Sequence, residues 1–236
     1  MRVVVVTTDT THHAYYLWKV SQRFPLQVVV LERWQPLVRF HTAHPFEQRR
    51  DEYEREALLA GGPKSCAEFR DIHYCERVND PKSVAMLRAQ RPDVILVFGA
   101  SRITPDVFRS AGVACLNLHG GNPEEYRGLD SHLWTIYHRD FTNLMTTLHW
   151  VDEQLDTGDV AFQSPLIVPA RTELYELRSI NTRVSVDLSL EALETLRREG
   201  SVPAQPQARC GRYYSHMPAC LKQECLTRFR QYTTRH

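Results

Sequence analysis

The run Val94-Ile95-Leu96-Val97-Phe98 constrains the fold more than any other feature. It is short, uninterrupted, and bounded by Pro92-Asp93 and Gly99. A strand with one wet face would alternate apolar and polar residues, whereas this one is apolar on both faces. It predicts a strand inside a sheet that is covered by helices on both sides. Arg2 to Val6 and Leu26 to Leu31 (LQVVVL) read as two more strands, and Thr10 to Phe24 between them has helical length behind a polar start. Phe46 to Ala60 predicts a charged helix closed by Gly61-Gly62-Pro63. Its Asp51–Arg55 and Arg50–Glu54 pairs, spaced i,i+4, suggest a solvated face. Asp80 to Gln90 reads as a helix entered through Asp-Pro, and a helix-like Pro105 to Ser110 leads into a short strand, Ala114 to Leu118.

Strands alternating with helices predict an α/β fold, a Rossmann-like, mostly parallel sheet flanked by helices, over residues 1–200. After residue 140 two strand-like runs, Leu144 to Val151 and Val160 to Val168, bracket an acidic turn, and a helix spans about Thr172 to Glu199. Residues 201–236, punctuated by proline and rich in Tyr and Arg, read as a short C-terminal appendage that packs on the domain or on a dimer partner.

Composition excludes several classes. The 236 residues carry 29 Lys+Arg against 28 Asp+Glu, a formal charge of +1, so there is no global pull towards nucleic acid or anionic membrane. With 42% apolar residues the chain can bury a core, which argues against wholesale disorder. No stretch reaches the ~20 apolar residues of a bilayer span, and the first apolar run is too short for a signal peptide. A cytoplasmic protein with reduced thiols is expected. Its cysteines (66, 75, 115, 210, 220 and 225) form no C-x-x-C pair, and Cys210, His216, Cys220 and Cys225 have no usual zinc spacing, so no metal is expected.

The chemistry concentrates between residues 94 and 160. In an extended chain, residues i and i+2 share a face, so Asn117 and His119 point the same way at the end of their strand. Ligands of open α/β sheets bind beyond the carboxyl ends of strands. An Asn amide can donate to a developing oxyanion, and a histidine can exchange a proton near neutral pH. Tyr126-Arg127-Gly128 follows, and then Val151 to Asp159 (VDEQLDTGD) supplies an acidic turn. Asp156 there either closes an Asx-turn or orients His119 and stabilises its cation.

Taken together, N-L-H at 117–119, Y-R-G at 126–128 and V-D-E-Q-L-D-T-G-D at 151–159 resemble the folate-dependent formyltransferase family. The resemblance covers about residues 90–168. It implies the formyltransferase fold and transfer of a formyl group from N10-formyltetrahydrofolate to an amine, with no metal. Matched position by position, it places the catalytic trio on Asn117, His119 and Asp156. It also places folate contacts on Phe98, Gly99, Ala100, Ile103 and Asp152. Asn117 is implied as the oxyanion donor, His119 as proton acceptor or second oxyanion donor, and Asp156 as the group that holds His119. Many members of that family carry Pro-Ser after the histidine, where this chain has Gly120-Gly121. The amine pocket is therefore expected to differ in shape.

The loop after the first strand, Thr7 to His13, lacks the glycine of the phosphate loop in the purine transformylases, and only about 35 residues follow Pro203. The missing glycine disfavours the purine substrate, and the short chain with its Tyr-rich tail (Gly211-Arg212-Tyr213-Tyr214) is similar to the compact nucleotide-sugar N-formyltransferases. The expected acceptor is thus a nucleotide-linked 4-amino-4,6-dideoxy sugar, the expected assembly a homodimer, and nucleic acid is not an expected partner. His12, His13, Gly120, Gly121 and Arg127 are the candidate substrate contacts, and Arg49 and Arg50 face either a diphosphate or solvent. Trp18, Trp34, Trp134 and Trp150 read as core. Alternatives are another small amine (a siderophore precursor or glycinamide ribonucleotide), a formyl-folate hydrolase, or a non-catalytic folate-binding regulator.

Overall fold

The computed structural model describes residues 1–34 and 36–234. Among these residues nine strands form: β1 (Val3–Thr7), β2 (Leu26–Glu32), β3 (Ile72–Cys75), β4 (Val94–Phe98), β5 (Ala114–His119), β6 (Tyr126–Gly128), β7 (Met145–Trp150), β8 (Val160–Pro165) and β9 (Arg212–Tyr214). Seven of them make one sheet in the order β3-β2-β1-β4-β5-β7-β8. The first five are parallel neighbours, and β7 and β8 add antiparallel. Helices α1 (Thr11–Ser21), α2 (Pro45–Leu58), α3 (Pro81–Gln90), α4 (Pro105–Phe108), α5 (Ser131–Tyr137), α6 (Leu177–Glu199) and α7 (Ala219–Thr233) complete the chain.

All five residues of β4 are buried, as a strand apolar on both faces requires. The period of two divides the core in half. Val3, Val5, Val94 and Leu96 join one cluster with Ala14 and Leu17 of α1 and Leu193 of α6. Val4, Val6, Ile95 and Val97 join the other with Val84 and Leu87 of α3 and Val107 of α4. Each fully buried Val or Leu contributes about 1.5–3 kcal/mol, so this doubly covered sheet is the main source of stability. Thr10 caps α1 by accepting from the His13 amide, and Gly200, at φ 76°, ends α6 in the left-handed conformation.

The C-terminal segment is built into the same body. Strand β9 pairs in parallel with β6, and Met217, Cys225 and Phe229 fill a third apolar cluster with Phe46, Ile136 and Leu177.

Two expectations need correction. The α2 face is solvated only in part: Arg55 is exposed, whereas Glu54 is fully buried and receives Arg178 of α6 through Nε and Nη2, each at 2.5 Å. Arg50 turns instead to Glu47 and Asp51. A buried carboxylate persists only when paired, and the partner came from another helix. The four tryptophans are half-buried rather than core residues, and Trp134 and Trp150 keep their indole N–H on backbone carbonyls.

Candidate active site

Strand β5 carries Asn117 and His119 to the carboxyl end of the sheet. Its antiparallel neighbour β7 sets His149 directly across from Asn117. The loop after β7 returns over the pair with Asp156 in the left-handed region, at φ 56°, a conformation that Asp tolerates better than most residues. Its carboxylate becomes the hub of the site. Oδ2 accepts the Gly128 amide at 2.8 Å and lies 3.6 Å from His119 Nδ1, while Oδ1 lies 3.5 Å from His149 Nε2 and from Asn117 Nδ2.

The remaining partners fix the two rings. His119 Nε2 lies 2.6 Å from the Tyr126 carbonyl, and His149 Nδ1 lies 2.8 Å from the Trp150 carbonyl. A carbonyl oxygen can only accept, so both nitrogens carry protons. His149 then offers Nε2 to the Asn117 amide, 3.1 Å away, which aims the amide. His119 keeps Nδ1 towards Asp156, where a second proton can be held or released. Burial by itself would raise the Asp156 pKa. The neighbouring His119 and His149 rings and the Gly128 amide outweigh it and hold the carboxyl well below its ordinary range. Gly128 is required here: at φ 92°, a β-carbon would stand 2.2 Å from the Tyr214 carbonyl.

Two cavities flank this hub. The first, about 230 Å³, opens over Asn117, His119, His149 and Asp156. Phe98, Gly99, Ala100, Ile103 and Asp152, the residues matched to folate contacts, all line it. Glu32, 2% exposed, anchors one wall by accepting from the Ser101 amide (2.6 Å) and hydroxyl (2.7 Å). Arg102 ties that wall to the other through the Glu153 carbonyl. The second cavity, about 250 Å³, lies beyond Gly120, Gly128 and Leu129, which line both, and presents His12, Arg50, His132, Arg178 and Asn181.

The remaining candidate contacts divide. His12 and Gly120 line the second cavity, whereas His13, Gly121 and Arg127 line neither. His13 packs its ring edge-on against Phe98 and donates from Nδ1 to the Thr8 carbonyl. Arg127 donates to the Gly211 and Leu155 carbonyls, which fastens the C-terminal segment to the Asp156 loop. The Gly121 carbonyl accepts from Thr147 Oγ1. Arg49 pairs with Glu52 and covers the Tyr175 ring, while Arg50 reaches the second cavity. Burial, with His13, Arg178 and Arg50 adding, lowers the His12 pKa well below normal. Burial likewise lowers His13 to about 3, against the Thr8 carbonyl. Both rings are neutral at neutral pH.

Sequence reasoning missed His149 and His132. For His149 a signal existed, since it is a polar residue within an otherwise buried strand and shares a face with Thr147. For His132 there was none. Among the described residues no group of His, Cys, Asp and Glu is arranged to hold a metal, and no helix is long and apolar enough to cross a membrane.

The sequence profile of the family described as "Formyl transferase" matches residues 41–185, more than half of the chain. The chain belongs to this formyl transferase family. A methionyl-tRNA formyltransferase from Syntrophus aciditrophicus is 29% identical to this chain over 153 residues, which are 64% of the chain and 48% of that relative. The chain thus spans about half the length of that curated relative. Among solved structures, a sugar N-formyltransferase from Shewanella matches with a TM-score of 0.62 at 13% identity, covering 97% of this chain and 87% of that one. The formyltransferase PseJ from Anoxybacillus kamchatkensis was solved with UDP-4,6-dideoxy-4-formamido-L-AltNAc and tetrahydrofolate. It matches with a TM-score of 0.55 at 17% identity, covering 91% of this chain and 86% of that one. Both establish that the fold is that of formyltransferases.

Proposed function

We propose that this formyl transferase family member moves a formyl group from N10-formyltetrahydrofolate to the amino group of a nucleotide-linked 4-amino-4,6-dideoxy sugar. The observation that carries the reading is the pair of cavities sharing Gly120, Gly128 and Leu129, with the Asn117–His119–Asp156 hub lining the first next to these shared residues. A formyl donor in the first and an amine in the second would meet at that hub.

The chemistry follows from the residues. The amine nitrogen attacks the formyl carbon, and the carbonyl π pair moves onto oxygen. Asn117 keeps one N–H on His149 and turns the other, which lies 3.5 Å from Asp156 Oδ1 in the free site, to that oxyanion, a contribution of about 3 kcal/mol where such donors have been removed from other enzymes. His119 Nδ1 takes the surplus proton of the nitrogen under the influence of Asp156 and returns it to N10 as the C–N10 bond breaks. Asp156 remains ionised throughout, because its carboxyl is held below the working range.

PseJ, which binds a formamido-sugar nucleotide together with tetrahydrofolate, supports the choice of acceptor. The methionyl-tRNA formyltransferase relative supports an acylated tRNA instead. The near-zero net charge favours the smaller acceptor, since several phosphate contacts ordinarily need a basic surplus. A homodimer in the cytoplasm belongs to the same reading. A panel of amino-sugar nucleotides, glycinamide ribonucleotide and charged initiator tRNA, each incubated with N10-formyltetrahydrofolate, tests it by mass spectrometry. The expected result is one added formyl group on an amino-sugar nucleotide. Faster turnover of tRNA or glycinamide ribonucleotide would replace the acceptor, and turnover of formyl-folate without any amine would make the protein a hydrolase.

A further inference from the structure

His132 stands in the first turn of α5, and its ring lines the second cavity. Its Nε2 lies 2.8 Å from the Met145 carbonyl, which can only accept, so Nε2 holds the proton and Nδ1 a lone pair. That Nδ1 has no hydrogen-bond partner among the described residues. Burial, with His119 nearby and the Met145 carbonyl opposing, brings the ring's pKa down to about 4, so the lone pair is available at neutral pH.

The two glycines after His119 are what seat this ring. A β-carbon at Gly120 would stand 3.1 Å from His132 Cε1 and 3.4 Å from Nδ1. One at Gly121 would stand 3.0 Å from Ser131 Cβ and 3.1 Å from His119 Nε2. The Gly-Gly pair therefore brings α5 close enough to put an imidazole beside the catalytic hub. A bulkier pair would displace it.

We propose that His132, through Nδ1, accepts a hydrogen bond from the acceptor amine and thereby turns the nitrogen lone pair towards the formyl carbon. The inference rests on the formyl-transfer reading and adds the group that receives the nucleophile. An acceptor-only group rewards a nucleophile that still has a hydrogen to donate, as a neutral primary amine has. Phe46, Leu133 and Leu177 line the same cavity and give the body of the acceptor apolar surface. The proton released on attack still goes to His119, since His132 is too weak a base to hold it.

Two substitutions separate this role from a structural one. In His132→Asn the amide oxygen occupies the place of Nδ1, while the donor to Met145 is lost. In His132→Gln the amide nitrogen reaches Met145, and the Nδ1 position is left without an acceptor. With N10-formyltetrahydrofolate and the most active amine of the panel, His132→Gln is expected to raise the amine KM about tenfold, the value of one hydrogen bond. Its KM for formyl-folate and its Tm should stay near wild type. His132→Asn is expected to lower Tm yet keep the amine KM within about threefold of wild type. An amine KM that rises in step with the loss of Tm, or that is unchanged in both variants, overturns the assignment. A wild-type protein that formylates no amine overturns the formyl-transfer reading and this inference with it, whereas an active wild type with the wrong order of variants overturns this inference alone.

Discussion

Asp156 is the residue on which the site depends, because one buried carboxylate serves the Gly128 amide, two imidazoles and the Asn117 amide. Asp156→Ala is expected to lower kcat by at least about a hundredfold, the range seen when a transition-state donor or its orienting partner is removed. It should also lower unfolding stability by about 1–3 kcal/mol, because the buried Gly128 N–H loses its acceptor. Asn117→Ala and His119→Ala should match the loss in kcat at a smaller cost in stability. Steady-state kinetics with urea unfolding checks both halves, and a His119→Ala enzyme with normal kcat would remove His119 from the proton path. Asn117, His119 and Asp156 were legible because strand alternation and a distinctive turn both leave marks in a linear sequence. His149 joins them only through the β5–β7 register, which is a property of two segments. Consecutive His12 and His13 both pack edge-on against Phe98, and the sequence does not say which of them lines the second cavity, where the fold places His12.

At the scale of elements, the covered sheet was readable from uninterrupted apolar runs, whereas the short pieces were not. Strand β3 mixes polar and apolar residues at the sheet edge, and β6 and β9 have three residues each, too few for any period to show. The α2–α6 junction also eluded the sequence, because Glu54 looks like one charge among many until Arg178 closes on it. Glu54→Ala should destabilise the fold by about 3–5 kcal/mol, as expected when a buried ion pair loses one partner. The midpoint of urea unfolding reads this directly, and a loss within error of zero would mean that Arg178 finds water. The C-terminal segment gives a second test. Gln207 donates to the Asp156 and Gly158 carbonyls and so clamps the catalytic loop from outside the sheet. Gln207→Ala is expected to lower kcat about tenfold, since a small misplacement of a catalytic group costs one to two orders of magnitude. Its folate affinity should change little. An unaltered kcat would show that Arg127, bonded to Gly211 and Leu155, holds the loop unaided.

At the scale of the whole molecule, the balanced charge conceals an asymmetry in where protons can go. His12, His13 and His132 are neutral in the folded protein because burial lowers their pKa values, the latter two to about 3 and 4. In the unfolded chain they titrate near the ordinary ~6.5. Between these values the unfolded state binds more protons, so stability is complete above pH ~6.5 and falls as the pH drops towards the folded pKa values. The carboxylates behave differently. Asp130, Asp140 and Asp156 have lowered folded pKa values, so their contribution is present above ~3.9 and disappears only below that. The window from about pH 6.5 to 4 therefore reports the histidines. Each contributes a limiting slope of about 1.4 kcal/mol per pH unit, so three together approach about 4. Urea unfolding at half-unit steps across the window should show this acid loss. In His13→Asn, which keeps a donor for the Thr8 carbonyl but cannot titrate, the slope should fall by up to about 1.4 kcal/mol per pH unit. An unchanged slope in that variant would mean that His13 takes up its proton without unfolding.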